Sequence, residues 1–493
     1  MRGYYTPDEI RAAEAPLLTS LPDGALMRRA AHGLAGVVVA ELRARTGGVA
    51  GRAVLLLVGS GDNGGDALWA GTFLRKRGVA VTAVLLKPDK AHRGGLAAFR
   101  RAGGRTARAI EEVGMPELVI DGIVGISGRG ALRPDAATLV ASMEAPIIAA
   151  DLPSGVDPVT GAVEGPAVRA AVTVAFGALK PVHVLAAAQC GRVELIPIGL
   201  TLGDAGITSL DATEVGGAWP VPGPHDDKYS QGVVGVVAGS GQYPGAGVLC
   251  TGAAVSATSG LVRYAGPGAS EVLAHWPEVI ATTDVAKAGR VQAWVVGPGM
   301  GTDDAARRTL RTVLDTDVPV LVDADGLTLL AEDPGLVRSR SAPTLLTPHA
   351  GEFTRITGSD PGSDRVAAAR SLAAEWGTYI LLKGRATVIA APGGQVFVNE
   401  AGGSWSATAG AGDVLAGIVG ALLAAGTVPD RAAAMGARAH SLAANVAARG
   451  GRGDLAAGRG TAPISAGNLL AHLRESIRVL RAGVSPEETA IHR

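Results

Sequence analysis

Short apolar runs separated by amphipathic segments recur along the whole chain. In the first half these runs are residues 53–58, 79–86, 118–121 and 145–151. In the second half they are residues 233–238, 293–296, 318–323, 344–347, 379–383 and 387–391. Runs of this length fit buried strands, and their alternation with helices is typical of a parallel sheet covered by helices on both faces. The pattern therefore predicts an α/β fold.

The alternation is interrupted once, and this divides the chain in two. Residues 201–224 do not follow it, and Trp219-Pro-Val-Pro-Gly-Pro224 resembles a linker. Before the first strand, Thr6-Pro7-Asp8-Glu9 has a helix cap, a proline suited to the first turn and the glutamate of a capping box. A second amphipathic helix is predicted over roughly residues 23–45. We predict two α/β domains, residues 1–215 and 225–480.

Composition excludes several classes of function. The chain has 493 residues, zero formal net charge and no basic stripe, so we expect no nucleic-acid partner. The N-terminus has no apolar signal core, and no apolar stretch reaches about 18 residues, so we expect no membrane partner. Only two cysteines are present, which fits a reducing cytoplasm. Residues 415–425 are apolar but short and rich in Gly and Ala, and we predict a core helix there.

A glycine-rich segment follows the first long apolar run. Gly59-Ser-Gly-Asp-Asn-Gly-Gly-Asp66 matches neither the Rossmann fingerprint nor a P-loop. Consecutive glycines at a strand-to-helix turn can still form a backbone nest for a phosphate, and Asn63 and Asp66 add side-chain ligands. The alternative is a tight turn in which Asp66 caps the following helix.

Two further runs of the first half end in acids, Asp121 and Asp151. Acids at the carboxyl ends of parallel strands converge on one crevice. The segment Asp151-Leu-Pro-Ser-Gly-Val-Asp157 resembles the signature of the NAD(P)H-hydrate epimerase domain, also called the apolipoprotein A-I-binding-protein-like domain. Asn63-Gly-Gly-Asp66 and the loop at residues 125–130 match the same family. The resemblance covers roughly residues 1–215 and implies a Rossmann-like three-layer parallel-sheet domain.

The resemblance also implies an activity, which is epimerisation of hydrated NADH or NADPH at C6 of the nicotinamide ring. It implies a K+ ion held by Asn63, Asp121 and Ser154. Asp151 would be an acid/base near C6 or would position the substrate. The implied substrate-binding residues of this domain are Asp62, Asn63, Gly64, Gly65, Asp66, Gly125, Ile126, Ser127, Gly128, Arg129, Gly130 and Asp151.

In the second half, Gly410-Ala-Gly-Asp413 leads directly into the apolar segment predicted as a core helix. Small residues let backbone N–H groups approach an anion, and the helix N-terminus adds its positive dipole end. A carboxylate there is expected to stay ionised and to deprotonate a hydroxyl beside a phosphoryl group. The alternative is an aspartate that only caps the helix.

Four other segments precede this one: Gly297-Pro-Gly-Met-Gly301, Asp323-Ala-Asp-Gly-Leu327, Thr347-Pro-His-Ala-Gly-Glu-Phe353 and Lys383-Gly384. Taken singly, each fits a turn, a cap or a solvated strand end. In this order they resemble the ribokinase-like fold and, within it, the ADP- or ATP-dependent NAD(P)H-hydrate dehydratase family. The resemblance covers roughly residues 225–480.

This second resemblance implies a dehydratase that phosphorylates the C6 hydroxyl and thereby makes it a good leaving group. Asp413 would be the base, and the resemblance implies Mg2+ and ADP, with ATP the other possible donor. Asp323 and Glu352 are further candidates as partners of magnesium-bound water. We expect a homo-oligomer. The implied residues for hydrated nicotinamide nucleotide are Ala246, Gly301, His349 and Asp413. The implied residues for the adenine nucleotide are Lys383, Gly384, Arg385, Ala386, Thr387, Gly410, Ala411 and Gly412.

Two other interpretations remain open at this point. The second domain could be a kinase of a small alcohol such as a vitamin precursor, using the same Asp413 with a different pocket. The first domain could be a non-catalytic nucleotide-binding or protein-interaction module.

Overall fold

The computed structural model describes residues 1–450 and 460–483, so residues 451–459 of the predicted second domain lie outside the described residues. The chain forms two compact units. One unit is Gly3–Ile207, and the other consists of Met1–Arg2 together with the chain from Thr208 onward.

The unit Gly3–Ile207 is built on a seven-stranded sheet with the order β4-β3-β2-β5-β6-β7-β8. Every neighbouring pair is parallel, as the sequence pattern predicts. The strands are β2 (Ala53–Val58), β3 (Ala80–Leu85), β4 (Arg105–Ala107), β5 (Leu118–Gly122), β6 (Ile147–Ala150), β7 (Val172–Phe176) and β8 (Arg192–Ile196). The strand order reverses beside β2, and in such sheets the crevice at this point is the usual ligand site.

Helices cover both faces of this sheet, and each face has its own apolar core. The predicted N-terminal cap is confirmed, because Thr6 and Glu9 form a reciprocal capping box at the start of α1. The helices are α1 (Pro7–Ser20), α2 (Ala25–Thr46), α3 (Asp62–Arg75), α4 (Arg93–Arg101), α5 (Pro134–Ala141), α6 (Val182–Leu185) and α7 (Ala187–Cys190). Short 3-10 turns lie at Pro88–Lys90 and Ile110–Glu112.

The other unit contains a sheet with the order β1-β9-β18-β17-β16-β15-β14-β13-β10-β11-β12. Its strands are β1 (Arg2–Tyr4), β9 (Ile207–Ser209), β10 (Val233–Val237), β11 (Leu261–Ala265), β12 (Ile280–Thr282), β13 (Ala293–Val296), β14 (Val320–Val322), β15 (Thr344–Leu346), β16 (Tyr379–Leu382), β17 (Ala386–Ala390) and β18 (Val396–Glu400). Strands β10 to β16 pair in parallel, but β16, β17 and β18 pair antiparallel. The second α/β unit is therefore mixed at this point, because only short connections without a helix join β16, β17 and β18.

The helices of this unit are α8 (Ala212–Ala218), α9 (Pro244–Ala257), α10 (Ala269–His275), α11 (Asp304–Leu314), α12 (Asp325–Glu332), α13 (Gly335–Arg338), α14 (Ala350–Thr357), α15 (Arg365–Trp376), α16 (Ala411–Ala424), α17 (Pro429–Ala448) and two C-terminal helices, Ala466–Ala471 and Leu473–Arg481. A 3-10 turn lies at Val285–Lys287. Among the described residues, no helix is both long and apolar enough to cross a membrane.

Helix α16 is the core helix that the sequence predicts, with ten consecutive residues buried from Val414 to Leu423. Two glycines bring it against its neighbours. A Cβ added to Gly417 would lie 2.1 Å from the carbonyl oxygen of Cys250 in α9, and one added to Gly420 would lie 2.0 Å from Cγ2 of Val295 in β13. These contacts hold α16 on the sheet, so that its N-terminus lies at the carboxyl ends of the strands.

Two candidate active sites

In the unit Gly3–Ile207, the glycine-rich segment forms the first turns of α3 rather than a loop. The helix begins at Asp62, with Gly61 as its cap. The alternative in which Asp66 caps the helix is wrong, because Asp66 lies inside α3 and is buried. A Cβ on Gly64 would lie 2.4 Å from the carbonyl oxygen of Gly59, so only glycine allows this close approach of helix and strand end.

Asn63, Asp121 and Ser154 come together beside this helix start. Ser154 Oγ donates to Asp121 Oδ1 at 2.7 Å, and the Ser154 backbone N–H donates to Asp121 Oδ2 at 2.9 Å. Asn63 Nδ2 donates to the carbonyl of Val124 at 3.1 Å, and the Val124 N–H donates to Ser154 Oγ at 2.9 Å. Side chains from three strand ends therefore share one small, oxygen-rich site.

The Asp121 carboxylate is fully buried, and no cationic side chain among the described residues pairs with it. Burial raises its pKa to about 6, although hydrogen bonds from Ser154 and Ile123 act in the opposite direction. A buried carboxylate without a cationic partner carries a large desolvation cost. A bound cation with oxygen ligands would offset that cost, so these residues fit the group that the resemblance implies.

Asp151 follows β6 in an unusual backbone conformation. Its φ of +67° is left-handed, and the only other non-glycine residue of the described chain with positive φ is Ala324. Such a conformation costs energy and is characteristic of functional sites. The Asp151 carboxylate accepts hydrogen bonds from Lys180 Nζ at 2.5 Å and from the Phe176 N–H at 3.0 Å. Lys180 also donates to the Phe176 carbonyl at 2.7 Å.

His183 fixes the backbone of Asp151. Its Nδ1 accepts from the Lys180 N–H at 2.9 Å, so its Nε2 carries the proton and donates to the Asp151 carbonyl at 2.8 Å. Burial, and then the charge of Lys180, lowers the pKa of His183 to about 4, while Asp151 acts in the opposite direction. A neutral imidazole thus supports the strained residue at neutral pH.

The remaining predicted substrate residues of this unit form a loop after β5. Gly128 N–H donates to the Gly125 carbonyl at 2.8 Å, which makes a tight turn, and Gly130 has a left-handed φ of +69°. Ile126 packs on a small apolar cluster, and Ser127 Oγ accepts from Arg11 Nη2 at 3.3 Å. Arg129 is exposed.

In the other unit, a lysine joins two acids at the strand ends. Lys383, after β16, donates to Asp323 Oδ1 at 2.7 Å and lies 3.5 Å from Glu352 Oε2. Thr347 Oγ1 donates to the same Asp323 oxygen at 2.8 Å. Burial alone would lower the pKa of Lys383, but Asp323 and Glu352 outweigh it and raise that pKa. The Lys383 ammonium therefore stays charged, and its positive charge offsets the negative charges of both carboxylates.

The residues predicted to contact the hydrated nicotinamide line the strand ends nearby. His349 caps α14, where its Nδ1 accepts from the Gly351 N–H at 3.0 Å, and its side chain is 58% exposed. Gly301 N–H donates to Asp325 Oδ2 at 2.9 Å. A Cβ on Gly299 would lie 2.8 Å from the Cβ of Ala246, so Ala246 contacts this same glycine-rich turn.

Asp413 lies in the first turn of α16, behind Gly410, whose φ is +84°. The expectation that its carboxyl stays fully ionised is wrong. Burial, and then the charges of Asp323 and Asp325 against that of Lys383, raises the pKa of Asp413 to about 7. The helix dipole favours a charged group, but desolvation outweighs it here. A base with a pKa near neutrality is suited to proton transfer.

Beside Asp413 a cavity of about 290 Å³ opens between β16, β17 and the N-terminus of α16. Six predicted nucleotide residues line it: Lys383, Gly384, Arg385, Thr387, Ala411 and Gly412. Ala386 in β17 and Gly410 at the helix cap are sequence neighbours of this lining. A Cβ on Gly412 would lie 3.6 Å from Lys383 Nζ, so the glycine-rich turn and the lysine face the same space.

Comparison with known proteins finds a family match for each half of the chain. A family model described as NAD(P)H-hydrate dehydratase matches residues 234–459, and one described as YjeF-related protein N-terminus matches residues 23–182. A bifunctional NAD(P)H-hydrate repair enzyme of Mycobacterium tuberculosis is 64% identical over 437 residues, which cover 88% of this chain and 92% of the relative. The chain belongs to the family of bifunctional NAD(P)H-hydrate repair enzymes.

Two further matches cover nearly all of their own length. The enzyme of Mycobacterium leprae is 59% identical over 97% of this chain and 100% of its own. An ADP/ATP-dependent NAD(P)H-hydrate dehydratase of Bacillus subtilis, co-crystallised with ATP and Mg2+, is a solved structure with 24% identity and a TM-score of 0.48. It covers 55% of this chain and 98% of its own.

Two sets of site residues in this repair enzyme are not predicted by the sequence patterns. In the first site they are Lys180 and His183, which reach Asp151 from the segment after β7. In the second they include His440 of α17, whose Nε2 donates to the Ala411 carbonyl at 2.8 Å, and Asn399 of β18. Burial lowers the pKa of His440 to about 4, so its ring is neutral at neutral pH. The scarcity of lysine was a signal for Lys180, since the chain has only seven.

Proposed function

We propose that the N-terminal domain, residues 1–215, interconverts the R and S epimers of hydrated NADH and NADPH at C6 of the nicotinamide ring. The C-terminal domain, residues 225–480, dehydrates the S epimer back to NAD(P)H and converts ADP to AMP and phosphate. The two activities complement each other, because the first supplies the epimer that the second consumes. The observation that carries the proposal is the 64% identity, over 88% of the chain, to a relative named for bifunctional NAD(P)H-hydrate repair.

The proposed dehydration uses the residues of the second site. Asp413 takes the proton of the C6 hydroxyl, and the oxygen attacks the terminal phosphoryl group of the nucleotide. Backbone N–H groups of residues 410–413 stabilise the charge on the transferring group. The nitrogen lone pair of the ring then expels phosphate from C6, and loss of a proton from C5 restores the ring double bond. A pKa near 7 leaves Asp413 largely able to accept the proton above neutrality.

The residues present also fit the implied cations. Asn63, Asp121 and Ser154 would hold K+, which would neutralise the buried Asp121 carboxylate and fix the loop beside the substrate. Among the described residues, no group of three or more His, Cys, Asp or Glu side chains could hold a metal ion. Mg2+ would therefore be held chiefly by nucleotide phosphates, with Asp323 and Glu352 contacting its water ligands.

Nucleotide product analysis tests the proposal. The full chain is incubated with the purified S epimer, Mg2+ and either ADP or ATP, and phosphorus NMR follows the products. We expect one AMP and one phosphate for each NADH restored from ADP. The contrary outcome is that no NADH forms from the hydrate, while ATP is consumed and a vitamin-precursor alcohol is phosphorylated. That result would show that the second domain is a small-molecule kinase.

A further inference from the structure

The loop that follows β3 carries an excess of positive charge. Residues 86–93 read Leu-Lys-Pro-Asp-Lys-Ala-His-Arg, so two lysines and an arginine stand against one carboxylate, that of Asp89. Lys87, Lys90 and Arg93 are exposed, and among the described residues none of the three forms an ion pair. The loop therefore presents uncompensated positive charge to solvent.

These charges lie on one short stretch of backbone. A 3-10 turn closes it, in which the Lys90 N–H donates to the Lys87 carbonyl at 3.0 Å. The Cα atoms at the two ends of such a turn lie within about 7 Å of each other. Arg93 begins α4 only three residues further on. All three cationic residues therefore lie at the carboxyl end of β3.

The basic loop borders the glycine-rich start of α3. His92 caps α4, and its Nδ1 accepts from the Gly95 N–H at 2.9 Å, so its Nε2 carries the ring proton and can donate. The same ring packs on α3, since a Cβ added to Gly65 would lie 3.0 Å from the Cγ of His92. The Leu86 N–H donates to the Val58 carbonyl at 3.0 Å, which ties the start of the loop to the end of β2.

The strand order indicates which part of a dinucleotide reaches this loop. The order β4-β3-β2-β5-β6-β7 is that of a doubly wound dinucleotide-binding sheet in which β2 is the first strand. In such sheets the dinucleotide spans the crevice beside the first strand, with its pyrophosphate at the start of the helix that follows. Asp151, which the resemblance places near C6 of the nicotinamide, follows β6 on one side of β2. The adenosine half then lies on the other side, where β3 ends.

The residue type at the end of this strand distinguishes the two forms of the dinucleotide. In doubly wound sheets, an acid about 20 residues after the glycine-rich turn accepts a hydrogen bond from the ribose 2′-hydroxyl, whereas a basic side chain there accommodates a 2′-phosphate. Here Lys87 lies about 20 residues after Asp66, and no acid precedes it at the end of β3. The charge at this position therefore suits a phosphorylated ribose.

We propose that the loop of residues 87–93 binds the adenosine 2′-phosphate of hydrated NADPH, and that the epimerase domain therefore prefers hydrated NADPH to hydrated NADH. Lys87, Lys90 and Arg93 offset the phosphate charge. His92 donates its Nε2 proton to a phosphate oxygen. This inference rests on the proposed epimerase function and adds its substrate preference.

Charge-removing variants test the subsite. Epimerisation of each hydrate by the full chain is followed with K+ but without nucleotide, by chromatography that separates the R and S forms. Ionic strength is held constant, because salt screens exposed charges. The double variant Lys87→Gln, Lys90→Gln should raise KM for hydrated NADPH by roughly 2- to 30-fold, the range for two exposed charge contacts, and leave KM for hydrated NADH unchanged. The double variant Lys87→Arg, Lys90→Arg keeps both charges and should keep the preference.

Lys76 offers a matched control. It is an exposed lysine that caps the C-terminal end of α3, at the opposite end of the helix from Asp62. Lys76→Gln removes the same charge from the same unit and should change KM for neither hydrate. Dehydration of the S epimer with ADP should stay normal in every variant, which shows that the chain is folded.

Inhibition isolates the contribution of the 2′-phosphate. Adenosine 2′,5′-bisphosphate and AMP differ only in that group, and the bisphosphate should inhibit epimerisation by the unchanged chain more strongly than AMP does. The Lys87→Gln, Lys90→Gln variant should lose this difference. Equal inhibition of the unchanged chain by the two compounds would refute the subsite, as would a double variant whose KM changes equally, or not at all, for the two hydrates. Absence of epimerisation of either hydrate by the unchanged chain would instead refute the proposed function.

Discussion

Lys383 donates a hydrogen bond of 2.7 Å to Asp323, and this ion pair sets the charge around Asp413. Burial, and then the charge of Asp323, raises the pKa of Asp413 to about 7, while Lys383 acts in the opposite direction. A residue that resemblance places at the nucleotide therefore also controls the proposed base. The two members of the pair act on Asp413 in opposite directions.

Removal of the Asp323 charge and removal of the Lys383 charge should shift the pH dependence of dehydration in opposite directions. The base acts when deprotonated, so kcat should rise with pH through about 7 in the unchanged chain. Asp323→Asn removes a negative charge and should move this rise to lower pH, whereas Lys383→Met should move it to higher pH. The measurement is kcat against pH at saturating nucleotide. Shifts in the same direction for both variants would contradict the assignment of Asp413 as the titrating base.

Asp413→Asn should slow dehydration strongly but stabilise the fold. Removal of the base should lower kcat by roughly 10²- to 10⁴-fold. The folded pKa of about 7 exceeds the ordinary value of 3.8, so the folded state loses stability as pH rises from 3.8 to 7. Asparagine cannot ionise, so the variant avoids this loss of stability. The unfolding free energy that the variant gains over the unchanged chain should therefore be larger above pH 7 than below pH 3.8. Urea unfolding at both pH values checks this, and an equal gain at both would show that Asp413 is not desolvated.

K+ should activate epimerisation but not dehydration. Protons should compete with K+ for the Asp121 carboxylate. The pKa of Asp121 is about 6 without a bound cation, so the apparent affinity for K+ should fall as pH decreases through about 6. Ser154→Ala removes one proposed ligand and should raise the K+ concentration needed for half-maximal epimerisation. Epimerisation rates over a K+ titration, with choline as the replacement cation, measure both effects. Full activity without K+ would show that the Asp121 site binds no required cation.

The packing of α16 gives a prediction about stability. Gly417→Ala would place a Cβ 2.1 Å from the carbonyl oxygen of Cys250, so α9 and α16 must separate. We expect a loss of about 1–3 kcal/mol in unfolding free energy. Gly217→Ala, in α8 of the same unit, meets no atom within 4 Å and should instead gain up to about 1 kcal/mol from helix propensity. The urea unfolding midpoints of the two variants, each compared with that of the unchanged chain, measure these effects.

Local signals in the sequence predict much of both units. The apolar runs give β2, β5 and β13 within a residue or two, and the Thr6 capping box marks the start of α1. The strand-end acids Asp121 and Asp151 lie at the predicted edge of the sheet, because parallel strands place their carboxyl ends together.

Contacts between distant segments could not be predicted in this way. Lys180 lies 29 residues from Asp151, and His440 lies 29 residues from Ala411, with no periodic pattern that relates them. The raised pKa of Asp413 cannot be predicted for the same reason, because its burial depends on residues outside its own helix. The antiparallel edge formed by β17 and β18 also depends on short connections that interrupt the strand–helix alternation.

The most direct test of the central claim is recovery of the near-ultraviolet absorbance of NADH from a mixture of the two hydrate epimers. The full chain is given the mixture with Mg2+, K+ and either ADP or ATP. We expect complete recovery, faster with ADP than with ATP, and recovery of only the S fraction by an Asp151→Asn variant within the same time. No recovery with either nucleotide would contradict the repair function.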